Sequence, residues 1–161
     1  MDHCASGPMW LKDPTIAQCV LDTFLLAEQK WELYELFAWV LMANHVHVVL
    51  APHRPVPDIT RAIKKTSARR ANQLLGRVGL PFWQDESYDH WVRDDRELQR
   101  IIRYIEANPV RAGLVERIED WFWSSAASRF QEGQVGNLPH RYTYLAAPGA
   151  GTGNLTPAVS R

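Results

Sequence analysis

The sequence is short of cysteine, of long apolar runs and of net charge, and each shortage removes a class of protein. Only Cys4 and Cys19 occur in 161 residues. They make neither a disulfide framework nor a zinc-site spacing, and reduced thiols in a cytoplasm are the expectation. No run of about 18 apolar residues exists, which excludes an ordinary membrane-spanning helix, and the first residues lack the basic start and apolar stretch of a signal peptide. The 18 Lys and Arg balance the 18 Asp and Glu, so total charge identifies no partner.

The distribution of charge says more. From Ile59 to Gln84 there is no Asp or Glu, yet Arg61, Lys64, Lys65, Arg69, Arg70 and Arg77 all fall there. A neutral chain with its cations gathered on one segment carries a local positive field of the kind that attracts phosphate backbones.

Length suits a single domain, assigned to residues 1–145, and a tail without structure is expected over 146–161, where Ala, Gly, Thr and Pro leave little to bury. Apolar spacing over Asp13–Lys30 predicts an amphipathic helix. Glu32–Met42 turns nearly continuously apolar from Leu36, as a strand covered on both faces would. Ala43-Asn44 interrupts it, and His45–Leu50 resumes as a second strand, so an antiparallel hairpin is predicted. Asp58 is placed as N-cap of a helix over Ile59–Leu75. A third strand is expected around Tyr88–Val92, and a helix over Arg96–Ala107, capped by Asp94 or Asp95 and stopped at Asn108-Pro109. The order implies an α+β sandwich, helices on one face of an antiparallel sheet. A ferredoxin-like version would place a strand ahead of the first helix, and Met1–Leu11 is poorly suited to that role.

Side chains alternate along a strand, so His45 and His47 share a face, about 7 Å apart at Cα, close enough to grip one divalent ion. Their strand is otherwise apolar, and two buried imidazoles need partners. In the later helix, Leu98, Ile101, Ile102 and Ile105 form the apolar stripe. At about 100° per residue, Tyr104 lies roughly 110° and Asn108 roughly 70° from its centre, one turn apart on the same side. A phenol can attack a phosphodiester when a cation polarises the phosphoryl oxygens. Two imidazoles with the Asn108 amide as a third, neutral ligand make magnesium or manganese workable.

VLMANHVHVVL, KKTSARRANQLLGR, GLPFWQDESYDHWVRDD, RYIEANPVRAGLV and WFWSSA, in that order across roughly Trp10–Ala127, resemble the REP-associated tyrosine transposases, a branch of the HUH single-tyrosine transposases. The resemblance implies a ferredoxin-like core and a metal-dependent endonuclease. It would nick and transfer single-stranded DNA beside short hairpins through a 5′-phosphotyrosine, with magnesium or manganese. Carried over by position, it implies His45 and His47 as metal ligands, Tyr104 as nucleophile and Asn108 as third ligand. It favours Arg61, Lys64, Lys65 and Arg69 as DNA contacts. Apart from the resemblance, Arg111 after the Asn-Pro turn is a candidate phosphate contact, and Trp83 and Trp91 are candidates for stacking on unpaired bases. Ala43 stands where that family usually has proline. The family's opening strand is not visible ahead of the first helix, so a missing first strand and an open sheet edge are expected. A hairpin-binding protein without cleavage is the alternative. Monomer and homodimer both stay open.

Overall fold

The computed structural model describes residues 8–84, 87–132 and 143–148. Helix α1 (Pro14–Gln29) begins where predicted, with the Asp13 carboxylate accepting the Thr15 N–H at 2.8 Å and Pro14 in the first turn, where a missing N–H costs nothing. Strands β1 (Tyr34–Leu41) and β2 (His45–Pro52) form the predicted hairpin. Helix α2 (Val56–Leu74) starts earlier than predicted, capped at Pro55, so Asp58 sits in the first turn. Pro57 lies in the first turn, where proline's fixed φ suits the helix.

Strand β3 (Tyr88–Trp91) leads into α3 (Asp95–Glu106), where the Asp94 carboxylate accepts the Glu97 N–H at 2.8 Å. Asn108-Pro109 does not end the helical path. A short helix α4 (Asn108–Arg111) follows at once, with proline in its first turn. The chain continues to α5 (Ser125–Glu132) and β4 (Thr143–Pro148).

The four strands among the described residues form one antiparallel sheet in the order β1-β2-β4-β3. Among the described residues no strand precedes α1. The expected open edge does not fall on β2, because β4 pairs along it from His45↔Pro148 to Leu50↔Thr143; among the described residues the sheet's edges are β1 and β3. The expected tail is thus corrected over Ala146–Pro148, which are paired strand; residues 149–161 lie outside the described residues. Nothing local marked this segment as a strand, since its Ala and Pro are poor formers and the pairing is long-range.

Helices cover both faces, which corrects the one-sided sandwich. Val46, Val48 and Leu50 pack with Phe24 of α1 and Ile59 and Ile63 of α2. On the other face Val49 and Ala51 join Ala38 and Val40 of β1 against Leu98, Ile102 and Ile105 of α3. Alternation along β2 therefore feeds two cores, and β1 shifts register at a bulge between Leu36 and Ala38. Cys19 is a buried free thiol in α1, and Cys4 lies outside the described residues. Among the described residues no helix is long and apolar enough to cross a membrane.

Candidate active site

The α3 face of the sheet holds the predicted histidines. Val46 and Val48 turn into the opposite core, so His45 and His47 must point at α3. Their ring centroids lie 4.9 Å apart at an interplanar angle of 80°. The Tyr104 ring stands 6.4 Å from that of His47, at 76°. The sheet presents a row of two imidazoles, and α3 lowers a phenol beside them.

Both imidazoles are held neutral. Burial pulls His45 below its usual pKa; burial, with the neighbouring His45 ring adding to it, pushes His47 down to about 3. A buried cation would lose its hydration, so the uncharged form is favoured, and that is the form in which a ring nitrogen can donate its lone pair to a metal. His45 is also oriented. Its Nδ1 lies 2.8 Å from Asn44 Oδ1, and as the carbonyl oxygen can only accept, Nδ1 carries the proton and Nε2 is left with the lone pair. Asn44, buried at the hairpin turn, was read in the sequence only as a turn residue. Its position next to the histidine was the available signal.

Asn108 caps α3. Its Nδ2 donates to the carbonyls of Tyr104 at 3.1 Å and Ile105 at 3.3 Å, which turns Oδ1 away from those two carbonyls as the group suited to a cation. Among the described residues no cluster of three His, Cys, Asp or Glu side chains is present. The Arg111 guanidinium lies 5.0 Å from the centre of the Tyr104 ring, within cation–π range. Phenol and fixed positive charge thus stand together.

The other predicted contacts separate. Arg61, Lys65 and Arg69 are exposed on α2, with Arg61 paired to Asp58 at 3.0 Å. Lys64 donates to the Gln84 carbonyl at 2.7 Å, which ties it to the loop before β3. Because α2 packs on the Val46 and Val48 side, this basic face lies across the sheet from Tyr104. Trp83 is a correction: it is 9 % exposed, sits in the α1–α2 core and donates its Nε1–H to Ser67 Oγ at 2.8 Å. A ring buried on both sides has no face for a base. Glu106 stood in the motif RYIEANP without a role, yet it is buried at 4 % exposure and bonded to Ser125 and Arg129.

Comparison with known proteins gives a consistent picture. The family model described as "Transposase IS200 like" matches residues 12–108. The chain is 29 % identical over 96 residues to the REP-associated tyrosine transposase of Escherichia coli K12, covering 57 % of this chain and 54 % of that protein. It is 44 % identical over 107 residues to a candidate REP-associated tyrosine transposase of Haemophilus influenzae, covering 57 % and 58 %. It therefore spans somewhat over half the length of these curated relatives. A solved REP-associated tyrosine transposase bound to a REP hairpin shares the fold, with a TM-score of 0.61, 18 % identity, and coverage of 94 % of this chain and 86 % of that one.

Proposed function

The chain belongs to the IS200-like transposases, and from that premise we propose that it nicks and rejoins single-stranded DNA beside a hairpin, through a 5′-phosphotyrosine at Tyr104, with a divalent cation held by His45 and His47. The observation that carries this reading is the row of three rings, with His47 4.9 Å from His45 and 6.4 Å from Tyr104. The substrate is part of the proposal, since the chain matches only part of each relative's length.

The residues fit a metal. Two neutral imidazoles, one with its tautomer set by Asn44, offer lone pairs without a proton to displace. Asn108 Oδ1 adds an oxygen, and a donor set of two nitrogens and an amide oxygen leaves positions for water and phosphate oxygens, as suits magnesium or manganese. When bound, such a cation supplies the positive charge that polarises the scissile phosphoryl group.

The side chains then divide the work. The Tyr104 oxygen attacks phosphorus; the Tyr O–P bond forms as the P–O3′ bond breaks, and the 3′-hydroxyl departs with the upstream strand. Arg111, beside the ring, neutralises phosphate oxygens there. The phosphotyrosine preserves the bond energy, so a later 3′-hydroxyl can attack it and reseal the strand without ATP. Arg61, Lys65 and Arg69 bind the hairpin's phosphates from the α2 side, away from the chemistry.

That separation favours a second reading, hairpin binding without cleavage, because the cationic helix does not depend on the ring row. The test incubates the protein with manganese and hairpin-bearing single-stranded DNA labelled at its 3′ end. On a denaturing gel a labelled, protein-sized adduct is expected from the native chain and none from Tyr104→Phe. Hairpin binding with no adduct from a folded native chain would leave the binding reading in its place.

A further inference from the structure

Among the described residues Glu106 is the only buried acid, and the proposed chemistry does not use it. It lies two residues beyond Tyr104, about 200° around α3, so the two side chains leave the helix on opposite sides. Tyr104 reaches the histidines, whereas Glu106 reaches α5 and β1. Its Oε1 accepts the Ser125 hydroxyl at 2.5 Å and forms an ion pair with Arg129. Ser125 Oγ in turn accepts the Trp39 N–H at 3.0 Å, and Arg129 Nη1 reaches the Phe37 carbonyl at 3.5 Å. Trp39 and its neighbours in β1 pair with β2, with Val40 opposite His47. The links run from Tyr104 through Glu106, Ser125 and the β1 backbone to His47.

Apolar packing alone would seat α3 loosely in rotation. Leu98, Ile102 and Ile105 fill their core, but burial of apolar surface is non-directional. Hydrogen bonds to a charged group are directional and strong. A buried ion pair is also a poor source of stability, since its desolvation offsets its attraction; its use here is geometric. We propose that Glu106 is a positioning residue, which with Ser125 and Arg129 sets the rotation of α3 and so the approach of Tyr104 to the His45–His47 pair. This rests on the reading of Tyr104 as the nucleophile.

The test replaces the pair by apolar residues of similar size, Glu106→Leu with Arg129→Met, a change that commonly leaves a fold intact. Two readouts are taken on the full chain: the rate of adduct formation at saturating DNA with manganese, and the NMR signals of the His47 ring, which sense the Tyr104 ring without any reaction. The adduct rate is expected to fall about tenfold or more, because a misplacement of about 1 Å can cost about a hundredfold. The hairpin Kd stays within about threefold, since each tenfold step takes about 1.4 kcal/mol of contact energy and α2 is untouched. The His47 signals move, and Glu106→Gln, which keeps an acceptor for Ser125, recovers part of the rate. A folded double variant with native rate and native His47 signals overturns the proposal. Should the double variant fail to fold, Ser125→Ala decides by the same two readouts, and no change in either overturns it. If the native chain itself makes no adduct, the functional reading fails, and the positioning role is judged by the His47 signals alone.

Discussion

The two faces of the sheet are built on different rules. The α1–α2 face is a continuous apolar core in which Ile16, Val20, Val46, Ile59 and Leu50 are fully buried. The α3 face combines a smaller core with His45, His47, Tyr104 and Glu106. One strand serves both: β2 sends Val46, Val48 and Leu50 one way and its histidines, with Val49 and Ala51, the other. The first face stabilises the fold at no chemical cost. The second accepts buried polar groups, each of which costs stability unless partnered, and holds the candidate site. Stability and chemistry should therefore be separable by mutation according to face.

The largest effect belongs to the chemical face. His47→Ala should abolish manganese-dependent adduct formation, read on a denaturing gel, while hairpin affinity measured by fluorescence anisotropy stays close to native. Equal adduct from this variant would remove His47 from the site.

On the other face, Ile59→Ala should cost about 2–5 kcal/mol in urea unfolding, the usual loss for a large buried aliphatic. Its adduct rate per folded molecule should match the native chain. A rate that collapsed in step with stability would mean that the faces are not independent.

A milder effect concerns pH. His47 and His45 protonate in the unfolded chain near their ordinary value of about 6.5 but stay neutral in the fold, His47 down to about 3. Their contribution is intact above about pH 6.5 and is lost as pH falls from there, with each pK unit worth about 1.4 kcal/mol. Burial raises the Glu106 carboxyl, which acts in the opposite direction at lower pH. The test compares urea midpoints at about pH 7.5 and pH 5.5 for the native chain and His47→Phe. The native midpoint should drop more, and equal drops would contradict a buried neutral His47.

The smallest effect separates the basic helix. Lys65→Gln with Arg69→Gln should lower the salt dependence of hairpin binding by about two charges, with the adduct rate at saturating DNA unchanged. A salt slope identical to the native one would take α2 out of the DNA contact.

How much of this was legible in the sequence follows the range of each interaction. The β1–β2 hairpin and α1 were readable because strand alternation and helical spacing are local. His45, His47 and Tyr104 could be grouped by face, and the family resemblance carried the same residues. Trp83 was a stacking candidate because bases stack on aromatic rings, and its burial against Ser67 is visible only in the folded chain. The slot filled by Thr143–Pro148 was not legible, since its register is set by β2 about 100 residues earlier. Glu106 was hidden for the same reason: its partners lie 19 and 23 residues on, and only the folded chain brings them to it.

The central claim is that Tyr104, held beside two neutral histidines, is where DNA becomes covalently attached. Mass spectrometry of the protease-digested adduct tests it most directly. A nucleotide-modified peptide containing Tyr104, formed with manganese and absent after chelation, is the predicted result. Modification of any other residue, or the same yield without metal, would contradict it.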